Sequence, residues 1–241
     1  MTVAARSARA ERAEETREQI MSAAERLFAD HGVRAVSNRQ VSEAAGQGNN
    51  FAVGYHFGGK EDLVRAIARK HSQHSERRRR AMVAALGGGS DDVRDWVACL
   101  VRPVTGHLAE LGSPTWFARF AAQAMADPSF APIMVDEALT SPALQEIVDG
   151  IDRCLPALPA EVRTERDEMA GSLIITTCAR RERALANGTP THRSTWDDAA
   201  TGLIDAIAGL WQAPVTPARE TREVPGPVTA PSDEHTEEDQ R

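Results

Sequence analysis

The chain has 241 residues, enough for one large domain or two modest ones with a substantial core, which excludes a small fold dependent on staples. Apolar residues make up 41% and charged residues 26%, ordinary values for a globular protein and unlike those of a disordered chain. Forty alanines against 5% aromatics lean towards helix, and three widely spaced cysteines without a CxxC pair support neither a disulfide framework nor a zinc knuckle.

The first 15 residues alternate Ala, Arg and Glu without an apolar run, so no secretory signal is read there. No uncharged apolar stretch reaches the ~20 residues that cross a bilayer. The expected location is cytoplasmic, with no membrane partner. The net charge of −7 conceals a split: residues 1–86 hold 15 Lys+Arg against 10 Asp+Glu, whereas residues 87–241 hold 13 against 25. A basic N-terminal third followed by an acidic remainder has the polarity of a phosphate-binding head on a body that repels DNA.

In chain order, Ile20, Ala23, Ala24, Leu27 and Phe28 form one apolar stripe and predict a helix over about 16–31. Thr16 with Gln19 reads as its capping box and Gly32 as its stop. Residues 1–15 are expected to be a flexible arm, although the helix has room to extend upstream. Ser37 with Gln40 repeats the capping box for a helix of about nine residues carrying Val41, Ala44 and Ala45 and ending at Gly46. Asn49 or Asn50 caps the next helix, which points Ala52, Val53 and Phe57 inward and stops at Gly58-Gly59. Lys60, Glu61 and Asp62 open a longer helix to about residue 86 with Leu63, Val64, Ile67, Val83 and Leu86 on its apolar side.

The Gly-Gly-Gly-Ser run at 87–90 marks a boundary. Beyond it, helices are predicted over 91–111, 115–126, 130–155, 160–187 and 195–212, with Pro103 and Pro142 kinking or splitting two of them. Residues 214–241 hold five prolines and seven acids with almost no large apolar side chain, and are expected to be a disordered tail. The fold class is all-α.

Two short helices joined by a glycine turn have the dimensions of a helix-turn-helix. Thr16-Arg17 to Phe28, Gly32, Gln40-Val41-Ser42-Glu43-Ala44-Ala45-Gly46, Tyr55-His56-Phe57 and Lys60-Glu61-Asp62-Leu63 together resemble the DNA-binding domain of the TetR family of transcriptional regulators over roughly residues 12–70. The chain departs from that pattern by one extra residue between Gly46 and His56, placed at Gln47-Gly48, and by Gly54 where the family commonly has a tyrosine. A subgroup of the family carries a similar Gly-Gln-x-Asn-Asn segment. The resemblance implies a DNA-binding domain at 16–70 whose fourth helix runs to about 86, and an effector-binding and dimerisation domain at 87–213.

The chemistry of the head follows residue by residue. Asn49 and Asn50 can pair with adenine edges and Phe51 can lie on a thymine methyl. Gln47 adjoins them in the turn. Arg39 projects towards the groove edge or a phosphate, and Lys60 opens a helix whose N–H groups favour an anion. Tyr55 and His56 resemble the family's backbone contacts. Blander readings remain: the asparagines as caps, Phe51 as core, His56 as packing. Arg6, Arg9 and Arg12 read more readily as a solvated terminus than as a minor-groove arm. Arg77 to Arg80, roughly 25 Å along the helix from Lys60 at ~1.5 Å per residue, read as a solvated face, as does the His71/His74 pair.

A reader of half-sites is expected to act as a homodimer. Met169, Ala170, Leu173, Ile174, Thr177 and Cys178 on one of the last two helices, with Ala199, Ala200, Leu203, Ile204, Ile207, Ala208 and Trp211 on the other, are the expected interface, the alternative being intramolecular core. Trp96, Cys99, His107, Trp116, Phe117, Phe120, Met134 and Cys178 are candidate lining of a site for a small hydrophobic or aromatic effector. No cofactor, metal site or catalytic residue is expected, since GxSxG, Walker, HExxH and GxGxxG patterns are missing from the sequence. The expected function is a repressor released from a near-palindromic operator by an effector. The alternatives are a constitutive regulator or activator without a ligand and, more remotely, a cytosolic enzyme.

Overall fold

The computed structural model describes residues 3–87 and 89–216, which form ten α-helices and no strand. The first helix, α1 (Val3–His31), begins well upstream of Thr16. Ala, Arg and Glu dominate residues 3–15 and are strong helix formers, so the segment expected as an arm is helical from Val3. Thr16 therefore caps nothing; its hydroxyl donates back to the Arg12 carbonyl at 2.9 Å, as threonines do in mid-helix. Gly32, at φ +83°, ends α1 as expected.

The short helices α2 (Asn38–Ala44) and α3 (Ala52–Phe57) precede α4 (Lys60–Ala85). Ser37 and Gln40 form the predicted reciprocal cap of α2. The body contains α5 (Val93–Leu111), α6 (Phe117–Met125), α7 (Ala131–Leu139), α8 (Pro142–Cys154), α9 (Ala160–Ala186) and α10 (Trp196–Gln212). Pro142 does split the predicted 130–155 helix, as the first residue of α8, while Pro103 lies buried within an unbroken α5. From residue 217 onward the expected tail lies outside the described residues.

Two apolar clusters organise these helices. One joins Ile20, Phe28, Val41, Val53, Leu63 and Ile67 of the head to Phe120 and Ala124 of α6 and Phe130 and Ile133 at α7. The other packs α5, α8, α9 and α10 around Trp96, Val97, Leu108, Ile151, Ile207 and Trp211. Trp96 sits flat against Gly150, where an added Cβ would lie 2.3 Å from the ring, and its indole N–H donates to the Ser90 carbonyl at 2.8 Å.

Polar clamps tie head to body. Glu137 of α7 is buried and accepts from Arg69 Nε and Nη2 (3.1 and 2.8 Å) and from Arg65 (3.4 Å) on α4. Arg34, after α1, donates to Asp127 at 2.7 Å and to Ser129 at 2.6 Å. Buried Glu182 of α9 accepts the Ala118 and Arg119 N–H groups at the start of α6, and the Arg119 guanidinium reaches on to Asp30 of α1 at 2.9 Å. No helix among the described residues is long and apolar enough to cross a membrane.

Two expectations for α4 are corrected. His71 is buried rather than solvated, with Nδ1 2.8 Å from His107 Nε2 and Nε2 2.8 Å from Glu25 Oε2. Arg79 is likewise buried, whereas Arg80 is exposed and holds Glu76. Both buried residues face the body because α4 continues beyond the head into contact with α5, α7 and α8.

Candidate nucleic-acid interface and internal cavity

The turn between α2 and α3 is built from its glycine. Gly46, at φ +68°, lets its own N–H donate to the Glu43 carbonyl (3.0 Å) and the Gln47 N–H to the Ser42 carbonyl (3.0 Å), the paired bonds of a Schellman stop. The buried Ser42 hydroxyl then ties the far side of the turn to α2 through the Asn38 and Asn50 carbonyls. Ala52 and Val53 anchor α3 in the core. At its C-terminal end, Arg17 of α1 donates to the His56 carbonyl and lies 4.3 Å above the Phe57 ring. Arg17 thus fixes the aim of α3, a positioning role the sequence alone did not reveal.

With its inner side so held, α3 presents the opposite side to solvent. Phe51 is 81% exposed and Tyr55 77%, values that remove Phe51 from the core and are rare for unpartnered aromatics. Asn49 and Asn50 are exposed beside them, and Asn49 Oδ1 accepts the Phe51 N–H at 2.9 Å, so Asn49 supplies an Asx-type start to α3 while Asn50 leaves its amide outward. The Tyr55 ring stands edge-on to His56, 5.0 Å away, and the His56 ring is half-buried.

The remaining predicted contacts are more engaged. Arg39 is exposed but pairs with Glu43 at 2.7 Å, which raises its pKa. The Gln47 amide donates to Gln19 of α1 and to the Ala45 carbonyl, both at 3.1 Å, and so braces the turn against α1. Lys60 Nζ donates to the Val33 carbonyl at 3.1 Å and lies 3.5 Å from that of Arg34. Burial and Arg34 lower the Lys60 pKa, opposed by Asp127. Its charge is therefore fixed beside the start of α4, whose first N–H groups carry no side-chain cap.

The predicted effector residues divide. Phe117, Met134 and Cys178 line a partly open cavity of about 260 Å³ between α4, α5, α6, α7 and α9, and His107 stands behind it, bonded to the lining residue His71. Trp96, Cys99 and Phe120 are fully buried core, and Trp116 packs at the head of α6, so none of these four reaches the cavity. The unforeseen wall is α4, which contributes Ala68, His71, Ser72, Ser75 and Arg79. Their spacing of three and four residues was the available signal, hidden because polar residues on a helix suggest solvent. Burial pushes the Cys99 thiol up to about 11 and the Cys178 thiol to about 12, so neither is a nucleophile at neutral pH.

On the last two helices, Ala170, Ile174 and Cys178 of α9 and Ala200, Leu203, Ile204, Ile207, Ala208 and Trp211 of α10 belong to the chain's own core. Met169 is exposed, and Leu173, Thr177 and Ala199 join Gly202 and Ala206 along an open groove between α9 and α10. Among the described residues no cluster of His, Cys, Asp and Glu is arranged to hold a metal ion.

Comparison with known proteins agrees with both parts. Residues 20–67 match the bacterial regulatory proteins of the tetR family, and residues 98–209 match the tetracyclin repressor-like C-terminal domain. The HTH-type transcriptional repressor AcnR of Corynebacterium glutamicum is 40% identical over 55 residues, which are 23% of this chain and 29% of that protein. AcnR of Corynebacterium diphtheriae is 34% identical over 82 residues, 34% of this chain and 40% of that protein. The matched stretch thus spans less than half the length of these relatives. Among solved structures, the TetR-like transcriptional regulator LfrR from Mycobacterium smegmatis in complex with proflavine is 22% identical with a TM-score of 0.41, covering 84% of this chain and 99% of that one. A gamma-butyrolactone receptor (ArpA-like protein) is 23% identical with a TM-score of 0.39, covering 83% of each chain. With one match on the helix-turn-helix and another on the helical body, the chain belongs to the TetR family of bacterial regulatory proteins.

Proposed function

We propose that the protein is a homodimeric, sequence-specific DNA-binding repressor, released from a near-palindromic operator by a small, largely hydrophobic effector. The observation that carries the reading is the outward surface of α3: Phe51 and Tyr55 almost fully exposed beside Asn49 and Asn50, on a helix whose other side is locked into the core by Ala52, Val53 and Arg17. A soluble monomer gains nothing from two bare aromatics there, whereas a thymine methyl and a phosphate oxygen complement them. In this reading Asn50 reads a base, Tyr55 and His56 meet the backbone, and Arg39 and Lys60 supply positive charge at the margins. Gln47 holds the turn and acts on DNA only through Asn49 and Asn50.

The dimer uses the outer side of α9 and α10, where Ala199, Gly202 and Ala206 permit close helix approach. The 260 Å³ cavity is the effector site, and an occupant there pushes on α4 and α7, which Glu137 clamps together. Since α4 begins at the DNA-facing head, a shift of its far half changes the separation of the two reading heads. An effector achieves release only by binding the non-DNA-binding arrangement more tightly. Selection of bound duplexes from a random pool tests the reading: a palindromic consensus with binding that falls steeply with salt is expected, and indiscriminate or salt-independent binding refutes it.

A further inference from the structure

We propose that the cavity takes a small organic acid, a carboxylate on a hydrocarbon body of about ten non-hydrogen atoms in all, with the acid group received by Nε of Arg79. The inference rests on the effector-site reading above and specifies the chemistry of the occupant. Arg79 lines the cavity with its side chain only 9% exposed. Its Nη1 donates to Glu76 Oε2 and Ser141 Oγ, both at 3.2 Å, yet its Nε is buried with no hydrogen-bond partner. A buried donor on a charged group left unmade is a standing penalty, and evolution retains few of them without a use. Arg79 is itself part of the cavity lining, so a small turn of its side chain brings Nε to an acceptor seated there and removes the penalty.

The surrounding charges specify which acceptor. Glu76 is shared between Arg79 and Arg80, and Glu137 between Arg65 and Arg69. Of these groups Arg79 and Glu137 line the cavity, and Glu137 is already held by two guanidinium groups while Arg79 keeps an open donor, so an anion is favoured there over a neutral carbonyl or a cation. Burial already draws the Arg79 pKa down against the pull of Glu76, and a second carboxylate would relieve that. His71, Ser72 and Ser75 lie on the same α4 wall and Glu137 lines the cavity from α7, whereas Phe117, Met125, Met134 and Ile174 make the opposite lining apolar. The acid therefore has one polar end and a greasy remainder. A cavity of 150 Å³ holds one benzene, so 260 Å³ holds about ten heavy atoms.

Calorimetric titration of the full chain with octanoate, 4-ethylbenzoate, 1-octanol and octylamine tests the proposal. One or both acids are expected to bind roughly tenfold or more tightly than the alcohol, with the amine weakest, and the preferred acid distinguishes an aliphatic from an aromatic source. Arg79→Gln is expected to erase the preference of acid over alcohol. Should that variant fold poorly, Ala121→Leu, which fills the cavity without touching the ionic wall, is expected to abolish binding of the acids. Alcohol or amine binding as tightly as the acids overturns the proposal while leaving the cavity as an effector site. Absence of binding by all four probes overturns it too, and the duplex selection then judges the DNA-binding reading separately.

Discussion

The buried imidazole pair between α4 and α5 makes stability depend on acid in a calculable way. His107 is almost fully buried, 2.8 Å from His71, which in turn meets Glu25 of α1 and stacks on Phe117 of α6 at 3.7 Å. Burial, aided by the positive potential of His71, His74 and Arg78 and opposed by Glu110, lowers the His107 pKa from 6.5 to about 4. The unfolded chain binds this proton at pH 6.5 and the folded one resists it to about pH 4. The stabilisation is therefore complete above pH 6.5 and is lost as pH falls through that window. At about 1.36 kcal/mol per pH unit the full loss is about 3 kcal/mol, of which between 1 and 2 kcal/mol, roughly, has gone by pH 5.5. His107→Leu removes the titration and leaves His71 Nδ1 unpaired, at a cost of about 1–3 kcal/mol at pH 7.5. Urea unfolding followed by circular dichroism should therefore show the gap between wild type and variant closing by about 2–3 kcal/mol at pH 4.5. Carboxylates titrate equally in both proteins and cancel from the difference. Parallel stability curves for the two proteins would refute the argument.

Three further outcomes are expected. Asn50→Ala, at an exposed position, should leave the melting temperature unchanged, cost about 1–3 kcal/mol of duplex binding and relax one base position, as read by anisotropy against single-base variants of a selected site. Lys60→Ala should weaken all sequences alike and lower the slope of log K against log salt by roughly one. Glu182→Leu orphans two N–H groups at the start of α6 and leaves Arg119 with Asp30 as its one carboxylate partner, so thermal or urea unfolding should show a loss of about 2–5 kcal/mol; a loss below 1 kcal/mol would contradict the assigned bonds.

Local signals carried most of the helix boundaries. Ser37 with Gln40, Gly46 and Pro142 are residues whose own backbone chemistry stops or starts a helix, and each does so where its type dictates. Thr16 misled because a cap pattern is meaningful only where the upstream chain is not itself a good helix former. The cavity was less legible. Trp96 and Phe120 share large apolar side chains with Phe117 and Met134, as Cys99 shares its thiol with Cys178, and nothing local distinguishes a side chain that fills a core from one that borders a void. His71 and Arg79 were obscured in the opposite sense, since their burial depends on α5, α7 and α8 arriving from distant sequence. On α3, the outward direction of Asn50, Phe51 and Tyr55 follows from Ala52 and Val53 being the apolar anchors, whereas the brace from Arg17 is tertiary and left no mark in the motif.

The first apolar cluster closes only with Phe120, Ala124, Phe130 and Ile133. A chimaera that grafts the first 86 residues onto a foreign regulator would leave Phe28 and its neighbours facing whatever the host supplies at the seam. Exchange of reading specificity in this protein therefore belongs at the few exposed positions of α3, while any larger transplant has to carry α6 and α7 with it.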